Sequence, residues 1–85
     1  MGGKFDKAKA RLQSEPSDYT YTEAKSLLQG LGYEEYNKGK TSGSRVIFIK
    51  GQHKIMLHKP HPGNVMKVYA VRQLKEVLVA QGELS

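Results

Sequence analysis

Two histidines flank a lysine in the stretch Leu57-His58-Lys59-Pro60-His61-Pro62-Gly63. Imidazole titrates near neutrality, so this stretch can take up or release a proton under ordinary cellular conditions. A second stretch, Asn37 to Arg45, packs Gly39 and Gly43, the hydroxyls of Thr41, Ser42 and Ser44, and the cations Lys38, Lys40 and Arg45 ahead of an apolar run. Glycines let backbone N–H groups approach a phosphate, hydroxyls donate to it, and cations supply the field. Between them the two stretches hold what metal-free RNA cleavage needs: a base for the 2′-hydroxyl proton, an acid for the leaving oxygen and a cation for the phosphorane. His58 and His61 are the candidates for proton transfer. His58 comes first, because a strand end holds a side chain more firmly than a proline-rich loop. Arg45 is expected to stabilise phosphate, since a guanidinium does not give up its proton in proteins. Lys38, Lys40, Ser44, Arg45, Lys54 and Lys59 are the expected RNA contacts. The competing account packs one histidine against a sheet and leaves the other in a solvated loop.

Other chemistries fit less well. The chain has no cysteine, and the nearest acids in sequence to the His58-x-x-His61 pair are distant, so neither a zinc site nor a carboxylate-held two-metal centre is expected. No cofactor is expected either. Gly39-Lys40-Thr41 resembles the end of a nucleotide-binding P-loop, but the earlier glycine is missing and no parallel βαβ unit follows.

Charge places a polyanion on the same half of the chain. The 85 residues carry 14 Lys and Arg against 8 Asp and Glu, a formal net charge of +6. No acid occurs between Glu35 and Glu76, and that interval holds nine of the fourteen basic residues with all three histidines. A solvated lysine-rich surface normally intersperses both signs, whereas segregation of this kind is the footprint of a nucleic-acid binder. The absence of cysteine suits a reducing cytoplasmic home. The longest apolar run, Val46 to Ile49, is far too short to span a membrane, and no signal-peptide pattern follows Met1.

The elements that must position these groups follow from spacing. Phe5, Ala8 and Leu12 mark a short helix over residues 4–13, ended at Glu15-Pro16, and residues 1–17 are expected to form a mobile or loosely docked helical arm. Residues 18–85 are expected to form the single domain proper. Thr20 and Glu23 stand at capping-box spacing, with Tyr19 placed to staple onto Ala24. Ala24, Leu27, Leu28 and Leu31 follow as one apolar stripe, and Gly30 or Gly32 supplies the stop. Three strands are expected over residues 33–37, 44–50 and 54–58, the last two forming a hairpin through Gly51-Gln52. After a proline-bearing loop, a helix is expected over residues 69–81, with Gly82 past its end. Tyr33, Tyr36 and Phe48 are assigned to core packing rather than base stacking, and Met56 and Met66 to gap filling. The fold class is α+β: an α-β-β-β-α order, a three-stranded antiparallel sheet with two helices on one face, and a short extra helix in front.

The pattern resembles the HicA family of toxins from toxin–antitoxin systems over about residues 20–84. The resemblance rests on the helix ending Leu28-Gln29-Gly30-Leu31-Gly32-Tyr33, on Lys38-Gly39, on Gly43-Ser44 leading into an apolar strand, and on the strand–loop–helix that ends in Leu74 to Gly82. It implies a fold similar to double-stranded-RNA-binding domains, cleavage of messenger RNA and neutralisation by a HicB antitoxin. The family usually carries histidine directly after Gly-Ser, where this chain has Arg45. Its prolyl-histidine element is similar but rearranged here, as Pro60-His61 with the additional His58. Two accounts therefore stand: a ribonuclease in which His58 or His61 supplies the proton chemistry, or a non-catalytic module that binds RNA or antitoxin.

Overall fold

The structure is a computed structural model, and it describes residues 3–36, 45–60 and 63–84. Three helices, α1 (Lys4–Gln13), α2 (Tyr21–Gly30) and α3 (Val68–Ala80), accompany three strands, β1 (Glu34–Glu35), β2 (Arg45–Lys50) and β3 (His53–His58). The sheet is an antiparallel meander in the order β1-β2-β3, so β1 and β3 are its edges.

Helix α2 starts where its capping box puts it. The Thr20 N–H donates to Glu23 Oε1 at 3.0 Å, and the Glu23 N–H donates back to Thr20 Oγ1 at 3.1 Å. Burial pushes the Glu23 carboxyl up, but the bonds from Thr20 and Arg11 outweigh it and hold the group below its ordinary value. The helix ends in a Schellman motif: Gly32 adopts φ +104°, its N–H reaches Gln29 O, and the Tyr33 N–H reaches Leu28 O. Gly32 is thus the stop. Gly30 is still helical and has another task, since a Cβ there would come within 2.1 Å of the Phe5 ring of α1.

That contact corrects the expectation of a loose arm. Ala8 and Leu12 of α1 are buried in the same core as Leu27 and Leu28. The Tyr19 hydroxyl donates to Ala8 O at 2.7 Å, and Arg11 bridges to Asp18 and, at 2.5 Å, to Glu23. The far end of α1 is tied to α3. Glu15, at φ +52°, accepts from Arg72 Nε and Lys75 Nζ, both at 3.1 Å. Residue 15 tolerates its left-handed backbone where the helix must stop before Pro16.

Strand parity divides the sheet into two faces. Val46 and Phe48 of β2 and Ile55 and Leu57 of β3 are buried beneath the helices, with Tyr33 at the entry to β1. Val71, Leu74 and Leu78 bring α3 into the same core. The opposite face is open, and on it Ile47 pairs with Met56 and Ile49 with Lys54. Gly51, at φ +60°, is the first residue of the two-residue turn that joins β2 to β3, the position where a type II′ turn needs glycine.

Tyr36 and Met56 depart from the core roles expected of them. Tyr36 is 69% exposed, its N–H donates to Ile47 O at 2.7 Å, and it extends the Ile47–Met56 pair along the open face. Tyr33 and Tyr36 are an odd number of residues apart, so in extended chain only one of them can face the core. Met56 is 48% exposed, whereas Met66 fills the core as expected.

Candidate nucleic-acid interface

Arg45 opens β2 and His58 closes β3, and the register places them directly opposite each other. Lys50 and His53 flank the two-residue turn and form a hydrogen-bonded pair. Alternation along the ladder makes Arg45–His58 a non-hydrogen-bonded pair, in which side chains stand closest. Their Cβ atoms are therefore neighbours at about 4.5–5.5 Å. Both side chains are exposed on the open face. A cation and an imidazole are thus presented side by side to solvent by two paired strands.

Lys59 follows immediately, and a core residue positions it. Its ammonium lies 5.9 Å from the centroid of the Tyr21 ring, in cation–π range. Tyr21 is buried at the start of α2, and its hydroxyl has no hydrogen-bond partner among the described residues. Burial, with a smaller push from Glu35, raises the Tyr21 phenol to about 12, so at neutral pH it stays protonated as a donor without an acceptor. Nothing in the local sequence signalled this residue, because Tyr21 and Lys59 lie in different elements.

Ion pairing explains which cations remain available. Lys50 is bound by Glu83, and Arg72 and Lys75 are bound by Glu15. Arg45, Lys54, Lys59 and Lys67 have no carboxylate partner among the described residues. Four of the five acids of residues 15–36 are spent within the fold: Asp18 and Glu23 on Arg11, Glu35 on Lys25, Glu15 on α3. Charge segregation along the chain therefore survives as a surface on and beside β3.

The remaining expected site residues divide simply. Lys54 projects from β3 on the same open face as His58, with Met56 between them on that face. Lys38, Lys40, Ser44 and His61 lie outside the described residues; in sequence Ser44 adjoins Arg45, and His61 follows His58 by three. The third histidine, His53, is at the other end of β3 beside the turn, with Nδ1 4.0 Å from Glu83 Oε2. Among the described residues no group of three or more His, Cys, Asp or Glu is arranged to hold a metal ion. No helix among them is long and apolar enough to cross a membrane.

Beside this cluster a groove of about 830 Å³ runs between β3 and α3. His58 and Lys59 contribute to one wall and Tyr69 and Val77 to the other.

A small α+β domain with a three-stranded meander, helices over one face and a basic strand end is the class of protein that fold and surface define. Residues 21–78 match the family model described as the HicA toxin of bacterial toxin–antitoxin systems, and the match covers well over half of the chain. The chain belongs to the HicA toxin family. No curated protein and no solved structure matches it significantly.

Proposed function

We propose that this chain is the toxin of a toxin–antitoxin pair: an endoribonuclease that works without metal on messenger RNA in the cytoplasm and is neutralised by a HicB-like antitoxin. The observation that carries the reading is the opposed Arg45–His58 pair, set beside Lys54 and Lys59, which have no carboxylate partner among the described residues. Arg45, Lys54 and Lys59, with Lys38, Lys40 and Ser44 from the preceding segment, supply phosphate contacts. An imidazole takes the proton from a ribose 2′-hydroxyl, and the freed oxygen attacks the adjacent phosphorus. The second imidazole returns a proton to the departing 5′-oxygen. His58 and His61 fill these two roles. Arg45 balances the charge gathering on the phosphoryl oxygens and keeps its own proton throughout. The strand end that carries His58 supports it as the first of the pair, because the preceding Leu57 is buried and paired with Val46 of β2, which anchors the chain at that point.

Arg45 also motivates the second reading. An arginine stands where the family usually has histidine, and a chain that had lost proton transfer would remain an RNA-binding or antitoxin-binding module of the same fold. Expression of wild type, His58→Ala, His61→Ala and the double variant separates the two, with growth and RNA integrity as readouts. Growth arrest and RNA decay in wild type that the double variant abolishes support the enzyme. Intact RNA with every variant supports the module, and decay that persists in the double variant removes the histidines from the chemistry.

A further inference from the structure

Among the described residues no strand pairs with the outer edge of β3. Because His53, Ile55 and Leu57 exchange their backbone bonds with β2, alternation turns the N–H and C=O groups of Lys54, Met56 and His58 outward. No other backbone bond occupies them among the described residues. An exposed edge of this length is a template for another strand unless something covers it. What stands beside it is the groove: α3 is set back from β3, and the gap is lined by exposed apolar groups, Met56, Val65, Tyr69 and Val77. These four make up most of the large exposed apolar side chains among the described residues. The rim is basic, with Lys54, Lys59 and Lys67 beside His58, and Glu76 is the only acid lining it among the described residues.

From this we infer that the β3 edge and its groove receive an extended, acidic strand of a partner protein, added antiparallel or parallel to β3. Main-chain bonds to Lys54, Met56 and His58 would give the attachment. Period-two alternation then dictates the partner's sequence. Its apolar residues face Tyr69 and Val77 of α3, and its intervening acidic residues lie on the open face beside Lys54 and His58. Such a strand covers His58 directly and withdraws it from RNA, so one docking event both completes the sheet and blocks the proposed chemistry. The toxin–antitoxin reading supplies only the partner's identity as the antitoxin; the docking geometry stands on the edge, the groove and the charge.

The experiment is hydrogen–deuterium exchange by NMR on the full isotopically labelled chain, with end-blocked peptides at millimolar concentration as probes. One alternates valine with glutamate, a second alternates valine with lysine, and a third is the glutamate peptide N-methylated at alternate residues, prepared in both registers. The expected result is exchange slowed about tenfold at the amides of Lys54, Met56 and His58 by the glutamate peptide. The lysine peptide leaves these amides unchanged, and methylation in one register abolishes the effect. A Lys54→Glu, Lys59→Glu double variant is expected to reverse the preference between the two charged peptides. Equal slowing by both charged peptides, or none at these three amides, overturns the inference. So does slowing of the same amides by a short RNA duplex with no response to peptide. RNA cleavage is read separately, so failure of the docking inference leaves the enzymatic reading to its own test.

Discussion

Arg45 and His58 face each other across β2 and β3, a cation and an imidazole as nearest cross-strand neighbours on the solvent side of the sheet. The pairing is a consequence of the turn. Gly51-Gln52 sets a register in which Lys50 meets His53, and five residue steps along the ladder bring Arg45 to His58. A shift of one residue would separate them and turn the apolar set Val46, Phe48, Ile55 and Leu57 out of the core. The same burial that stabilises the sheet therefore fixes the spacing of the candidate site.

RNA affinity should fall steeply with salt. Phosphate contacts release counterions, so the logarithm of the binding constant should fall linearly with the logarithm of salt concentration, by about 0.7–0.9 per contact. Lys54→Glu and Lys59→Glu should each weaken binding across unrelated sequences and flatten that slope. Fluorescence titrations of a labelled RNA over a salt series measure this. An affinity indifferent to salt would show that Lys54 and Lys59 do not touch the backbone.

Tyr21 separates a ring from a hydroxyl. Its aromatic face holds Lys59, whereas its buried hydroxyl has no partner among the described residues. Tyr21→Phe should keep RNA affinity and raise stability by about 1 kcal/mol, because an unsatisfied buried polar group costs roughly 1–3 kcal/mol. Tyr21→Leu should lose affinity as Lys59→Ala does. Thermal melts and RNA titrations on the three variants check the pattern. A destabilised Tyr21→Phe would mean that the hydroxyl has a partner in the folded chain.

Acid should loosen the junction of α1 with α3. The hydrogen bond from Lys75, then that from Arg72, holds the Glu15 carboxyl below its ordinary 4.5. The folded state therefore binds fewer protons than the unfolded chain between the two values. The stabilisation is complete above 4.5 and is lost as the pH falls toward the folded value. Melting temperatures measured from neutrality to pH 3 should drop in the acid range for wild type. Glu15→Gln should melt lower at neutral pH and converge with wild type in acid. Parallel curves would exclude Glu15 as a source of the acid sensitivity.

Local signals were legible and distances between elements were not. The Thr20–Glu23 box, the Ala24–Leu31 stripe and the Gly51-Gln52 turn each act within a few residues, and each appears where spacing put it. Gly30 could be read only as a possible stop, because the Phe5 ring that requires it belongs to another helix. The docking of α1 was missed for a similar reason: Arg11 is one cation among several until Asp18 and Glu23 are brought to it. Tyr36 was open to a better reading, since its odd spacing from Tyr33 already places the two on opposite faces. The acid-free stretch marked the basic half, but which cations Glu15 and Glu83 neutralise is a tertiary fact. So is the groove, which exists because α3 stands off β3.

The most direct test of the central claim is the chemistry of the cut ends. Purified chain is incubated with a mixed-sequence RNA in EDTA, and the termini of the products are identified by mass spectrometry. Proton transfer by histidine through the 2′-oxygen predicts cleavage that survives EDTA, leaves 2′,3′-cyclic phosphates and 5′-hydroxyls, and disappears in the His58→Ala, His61→Ala double variant. Products bearing 3′-hydroxyls and 5′-phosphates, or cleavage that EDTA abolishes, would contradict it.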